Sequence, residues 1–165
     1  MILKKIDGNL FDATDTCFVQ CISADFGMAA GIAVQFNANF DMKKRLLKAY
    51  KGNALNIWKK KQGFIVGTRS VPVINLVTKE RYWHKPTYEH LRNALLELKA
   101  YCTEHDIKDL SMPLIGCGLD GLSWPTVEDM LQDTFENMDI TIRVYTYKTK
   151  GMINHAKTDS TYEKN

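Results

Sequence analysis

The chain has 165 residues, 45% hydrophobic and 25% charged, enough for one compact domain with a full core and close to average soluble composition. Its formal net charge is +3, of which residues 148–165 carry +2 (four Lys against Asp159 and Glu163); the +1 left on the body does not announce a nucleic-acid binder. No apolar stretch reaches the roughly 20 residues of a membrane span, the N-terminus lacks a small-residue cleavage site and the cysteines form no CxxC pair, so a cytoplasmic monomer with free thiols, no metal and no membrane partner is expected.

Residues 2–6 read as an edge strand. Residues 16–22 read as a second strand, nearly continuous in apolar character apart from Gln20, as a buried central strand is. Its end opens onto Ser23 and Asp25. The segment GMAAGIAVQF (27–36) puts small residues at the mouth of a helix, where they permit close backbone approach, and Asp41 is positioned to cap a second helix through Lys51. Lys59, Lys60 and Lys61 after Trp58 can touch phosphates, but read more simply as a charged face on a sheet edge or hairpin. Residues 64–66 and 71–77 flank Gly67, Thr68, Arg69 and Ser70, a hairpin with a four-residue turn.

Pro86 opens a strong helix with Tyr88, Leu91, Leu95, Leu98 and Cys102 on one apolar stripe. Residues 110–115 form the next strand. Ser123 is positioned to cap the last helix, which turns Val127, Met130, Leu131, Phe135 and Met138 inward, and residues 140–147 finish the sheet in alternating pattern. Strands interleaved with helices predict an α/β domain over residues 1–147, a mixed sheet with helices on both faces, followed by a polar, aperiodic tail over 148–165.

Ligands of such sheets sit beyond the carboxyl ends of the parallel strands. Three segments converge there: 23–31, 78–85 and 115–121. In the run DLSMPLIGCGLD (109–120) a short apolar strand breaks into a loop spaced by Gly116 and Gly118, whose backbone N–H groups can turn onto an anion with the dipole of the following helix behind them. A carboxylate beside an anion site is repulsive unless it does chemistry or holds the loop, so Asp120 needs an explanation. Lys79 enters the same region directly after the apolar run Val73, Ile74, Leu76 and Val77.

Three of these segments together, CISADFGMAAGIAVQF (21–36), VTKERYWHKPTYEHL (77–91) and SMPLIGCGLDGLSW (111–124), resemble the macrodomain family, a three-layer α/β/α fold with a central mixed sheet that binds ADP-ribose. Within that family they resemble the terminal ADP-ribose protein glycohydrolase branch, whose members remove ADP-ribose from acidic side chains. The resemblance implies a Lys nucleophile at Lys79 and a proton acceptor at Asp120, with no metal or bound cofactor. It also implies ADP-ribose contacts from Asn9 and Leu10, from Cys21 and Ser23, from the turn Met28, Ala30, Gly31 and Ile32, from Thr78, and from the phosphate loop Ile115, Gly116, Cys117, Gly118 and Leu119. The family's acidic residue for the adenine amino group is replaced here by Asn9, whose carbonyl can accept the same bond without charge assistance, at a cost on the order of 1 kcal/mol.

The residue chemistry can be set beside that implication. A free Lys has a pKa near 10.4, so about one in 2,500 is the neutral amine at pH 7. Burial lowers that pKa while a nearby carboxylate raises it, so Asp120 has to take the proton rather than only pair with the ammonium. From the residues alone Lys79 reads first as a strand-end lysine paired with Glu80 or Asp120, and Asp120 as a helix cap or loop pin; the resemblance is what turns the reading to catalysis. Cys117 has no neighbouring His to activate it. His84 reads as a loop residue stacking on Trp83 or Pro86, and His105 as a helix-end complement to the dipole. The expected partners are ADP-ribose and mono-ADP-ribosylated protein. The same pocket would also suit a reader without turnover, or an enzyme for ADP-ribosylated DNA bases, O-acetyl-ADP-ribose or ADP-ribose 1''-phosphate. DNA would demand a basic rim, for which Lys59 to Lys61 and Arg81 to Lys85 are candidates.

Overall fold

The computed structural model describes residues 1–146. The expected tail over 148–165 and the last residue of the predicted final strand, Tyr147, lie outside the described residues. Strands β1 (Ile2–Ile6), β2 (Cys17–Ser23), β3 (Phe64–Gly67), β4 (Val73–Lys79), β5 (Asp109–Met112) and β6 (Thr141–Tyr145) form one sheet in the order β1-β6-β5-β2-β4-β3. All neighbours are parallel except the β3–β4 hairpin. The helices are α1 (Ile32–Phe40), α2 (Met42–Ala49), α3 (Leu55–Lys60), α4 (Tyr88–Glu104) and α5 (Trp124–Phe135), with a 3-10 turn at Leu10–Asp12.

Two apolar clusters flank the sheet and make it the middle of three layers. On one side the stripe Leu91, Leu95, Leu98 and Cys102 of α4 packs with Val127, Leu131 and Phe135 of α5, all 0–1% exposed. On the other, Phe36, Met42, Leu46 and Trp58 from α1 to α3 pack on Phe18, Ile22 and Val77. Truncating one of these buried rings to Ala removes about 3–5 kcal/mol. Gln20, the polar interruption in β2, lies opposite Asn75 of β4 and donates to its Oδ1 at 2.8 Å, while Asn75 donates to Val66 O at 3.2 Å. This side-chain bond ties the two central strands in register, while Gln20 Oε1 is left without a partner among the described residues.

Several local expectations are corrected. Lys59 and Lys60 lie on the last turn of α3, not on a sheet edge or hairpin, and Lys61 caps it and pairs with Glu97. Asp41 sits before α2 with φ 54° and makes no side-chain cap; Asn37 Oδ1 accepts from Lys43 N at 2.7 Å instead. Thr87, not Pro86, caps α4, its hydroxyl accepting from His90 N at 3.1 Å. Ser123 precedes α5 without a side-chain cap, and its N–H donates to the Tyr88 hydroxyl at 2.9 Å. The β3–β4 connection runs over residues 68–72 because Pro72 has no N–H to begin the ladder. Strand β5 ends at Met112 for the same reason, one residue before Pro113, which frees Leu114 and Ile115 for the loop.

Candidate active site

Five parallel strands end on one rim, and a cavity of about 1010 Å³ lies there. The loops after β2, β4 and β5 converge on it as expected, joined by the 3-10 turn after β1 and by Tyr145 and Thr146 at the end of β6. Asn9, Leu10, Cys21, Ser23, Met28, Ala30, Gly31 and Ile32 line the cavity, as do Lys79, Asp120 and the run from Ile115 to Leu119. Thr78 does not.

The reason is a one-residue register shift. Ile22 pairs with Val77 but Ser23 pairs with Lys79, leaving Thr78 as an extra residue in β4. Strict alternation would have set Thr78 beside Ser23 on the cavity side. The shift leaves Thr78 buried, 1% exposed and beside the Cys21 thiol, and puts Lys79 opposite Ser23 on the rim. Backbone bonding continues past the shift, with Ala24 N donating to Lys79 O at 2.9 Å.

Lys79 Nζ donates to Asp120 Oδ1 at 2.6 Å, and both side chains are 15% exposed. Forty-one positions separate the two residues, and β4 and the loop after β5 bring them together. Asp120 therefore neither caps α5 nor faces an empty anion site; its negative charge is held against the ammonium.

The loop between β5 and α5 bonds internally through Cys117 N to Leu114 O, Gly121 N to Gly118 O and Leu122 N to Gly116 O, at 2.8–3.1 Å. The N–H groups of Gly116, Gly118 and Leu119 have no protein acceptor among the described residues, and all three residues line the cavity. Such a nest of free donors suits an anion. Gly116 is required by geometry: its φ is +73°, and a Cβ there would stand 2.9 Å from Leu122.

Asp25 ties the neighbouring loops together. Its Oδ1 accepts from Ser23 Oγ at 2.5 Å and from Gly27 N at 3.0 Å, and its Oδ2 accepts from Tyr82 N at 3.1 Å. Lys85 Nζ donates to Leu119 O, and Leu119 lies against Gly31, so the three loops touch across the cavity. Tyr82 and Trp83 are left on the mouth, 57% and 62% exposed. Both line the cavity, as do Phe11, Tyr145 and Thr146, and sequence reasoning singled out none of them as site residues. The parallel direction of β6 was the signal that could have found its last residues.

Asn9 is already occupied: its Oδ1 accepts from Phe11 N at 3.0 Å and caps the 3-10 turn. His84 stacks edge-on against Trp83, with centroids 5.4 Å apart, and its Nδ1 accepts from Arg81 N at 3.3 Å. His105 stacks on Tyr101 at the end of α4. Burial, reinforced by the Asp120 charge, pushes the Cys117 thiol up to about 12 and raises Cys21 further, so neither is a thiolate at neutral pH. Among the described residues no group of three His, Cys, Asp or Glu side chains could hold a metal ion, and no helix is long and apolar enough to cross a membrane.

The three-layer fold, the ligand-sized cavity at the strand ends and the glycine loop define a macrodomain, and the Macro domain family model matches residues 20–131: the chain belongs to that family. Among its relatives, ADP-ribose glycohydrolase OARD1 of Bos taurus is 42% identical over 145 residues, covering 87% of this chain and 91% of the relative. A DNA ADP-ribosyl glycohydrolase of Thermus aquaticus is 25% identical over 151 residues, covering 89% of this chain but 41% of that protein. The macrodomain of Mycobacterium tuberculosis DarG superposes with a TM-score of 0.70 at 23% identity, over 87% of this chain and 97% of that one.

Proposed function

We propose that this macrodomain is a hydrolase that removes mono-ADP-ribose from Glu and Asp side chains, with Lys79 as nucleophile and Asp120 as proton acceptor. The observation that carries the reading is the 2.6 Å contact between Lys79 Nζ and Asp120 Oδ1 on the wall of the large cavity. The name of the bovine relative, ADP-ribose glycohydrolase, supports the hydrolase class.

In this reading the diphosphate lies on the free N–H groups of the loop 115–119, the adenosine reaches Asn9 and Leu10, and the distal ribose lies between the turn 28–32 and Lys79. ADP-ribose displaces water around the pair. Losing water penalises separated charges, which favours moving the ammonium proton to Asp120 and leaving a neutral amine and a neutral acid. The amine attacks the anomeric carbon: a C–N bond forms, the C–O bond to the protein carboxylate breaks, and the departing carboxylate takes the bonding pair. A carboxylate leaves without a proton, so no strong acid is needed on its side. Asp120 then gives its proton up to solvent as the product carboxylate leaves; water attacks the anomeric carbon with Asp120 now ionised as base, the C–N bond breaks with its pair returning to Lys79, and Asp120 hands the proton back to the amine.

A nucleobase-linked substrate is the second reading. Exposed Tyr82 and Trp83, flanked in sequence by Arg81 and Lys85, offer stacking surface and positive charge at the mouth. The deciding experiment is release of ADP-ribose from a protein labelled on Glu or Asp, beside calorimetric binding of ADP-ribose. We expect wild type to release it and Lys79→Ala to lose at least about a thousandfold in rate while keeping its affinity within a few-fold. Binding without release by wild type would make the chain a reader or an enzyme for another linkage.

A further inference from the structure

A second, smaller cavity of about 400 Å³ adjoins the first. Lys79, His84 and Lys85 line both, so the two meet at the proposed reacting centre. The far wall comes from α3 and the first turn of α4, neither of which ADP-ribose needs. It is tightly packed: Trp58 is 8% exposed and meets His90 edge-on at 5.0 Å, and Asn93 Nδ2 donates to Gln62 O at 2.9 Å. Gly63, with φ +96°, lets the chain press against α4 so closely that a Cβ would fall 2.2 Å from His90 O. The hollow is therefore preformed.

Its chemistry is one-sided. His84 Nδ1 accepts from Arg81 N, which assigns the ring proton to Nε2. His90 Nδ1 is buried with no partner among the described residues, a polar atom free to meet a bound group. Two histidines and two lysines thus line the hollow against one carboxylate, Glu80, and the amide of Gln62. A donor-rich, cationic hollow selects an acceptor-only anion. A nucleobase edge needs acceptors to match its own donors.

We propose that this smaller cavity is the acceptor subsite, holding the Glu or Asp side chain from which ADP-ribose is removed and stabilising the carboxylate as it departs. The inference rests on the hydrolase reading above, because it takes Lys79 as the point where the two halves of the substrate join. ADP-ribose fills the large cavity, and the bond to be broken lies at the shared wall.

The test uses Gln62, exposed and lining only the smaller cavity. In an Asp120→Ala background, where turnover is expected to be negligible, calorimetry compares free ADP-ribose with an ADP-ribosyl-glutamyl peptide. We expect the peptide conjugate to bind roughly tenfold tighter than ADP-ribose. Adding Gln62→Glu should erase that advantage, while Gln62→Lys should keep or increase it; both should leave ADP-ribose affinity within about twofold. In the otherwise wild-type enzyme Gln62→Glu should raise KM for the conjugate severalfold with kcat little changed. The proposal is overturned if conjugate and free ADP-ribose bind alike, if the two charge variants behave alike, or if the charge effect is seen only with an ADP-ribosylated DNA oligonucleotide. Wild-type turnover of the conjugate is recorded in parallel, so absence of hydrolysis counts against the function and the binding comparison alone judges the subsite.

Discussion

The two ends of the large cavity are built on opposite principles. At the Asn9 end the wall is apolar packing: Leu10 is 3% exposed and Phe11 meets the ring of Phe36 edge-on at 5.0 Å. Asn9 there is engaged in holding its own turn. At the Lys79 end the wall is charge and backbone, with an ion pair, a nest of free N–H groups and three loops tied through Asp25 and Lys85. The apolar end is suited to grip and the charged end to react, so affinity and turnover should be separable by mutation.

The strongest test of that separation is Asp120→Ala. In the proposed mechanism it removes the proton acceptor of Lys79, and kcat is expected to fall by about 10²–10⁴-fold with ADP-ribose affinity nearly unchanged, read by single-turnover release beside calorimetry. A parallel loss of affinity would show the pair to be a binding element and break the comparison. Gly116→Ala should act differently. Its positive φ and the 2.9 Å approach of Leu122 predict about 1–3 kcal/mol of lost stability and weakened ADP-ribose binding, seen as a lower Tm and a raised Kd. The smallest expected effect is at the apolar end. Asn9→Asp keeps the cap oxygen and adds charge assistance, so ADP-ribose should bind severalfold tighter with kcat unmoved. A change in kcat there would mean that the ends are coupled.

The chain made its chemistry more legible than its geometry. From the residues, Lys79 after an apolar run could be paired with Glu80 or with Asp120, and the resemblance pointed to Asp120, because 41 positions separate the two and only the sheet order joins them. The long stripes of α4 and α5 were plain from spacing. Helix α3 was missed because it has six residues, no side-chain cap and a lysine run that hides the single buried Trp58, and the smaller cavity went unseen with it. The polar contents of the core could be seen but not matched: Gln20 stood out in β2, yet its partner Asn75 is known only from the strand register. Asp41 looked like a cap by residue type, but the left-handed turn between α1 and α2 gave the work to Asn37.

The extra residue at Thr78 left no mark on the pattern of β4 either, since residues 73–78 are all buried and apolar alternation has nothing to report. Its consequence concerns the ways in which this enzyme can be disarmed. Removing Thr78 would not be one of them: it would restore strict pairing but leave Lys79 opposite Ser23, its present partner. Loss of that one codon should therefore spare the contact of Lys79 with Asp120, so that in the proposed mechanism a shortened β4 keeps both recognition and turnover.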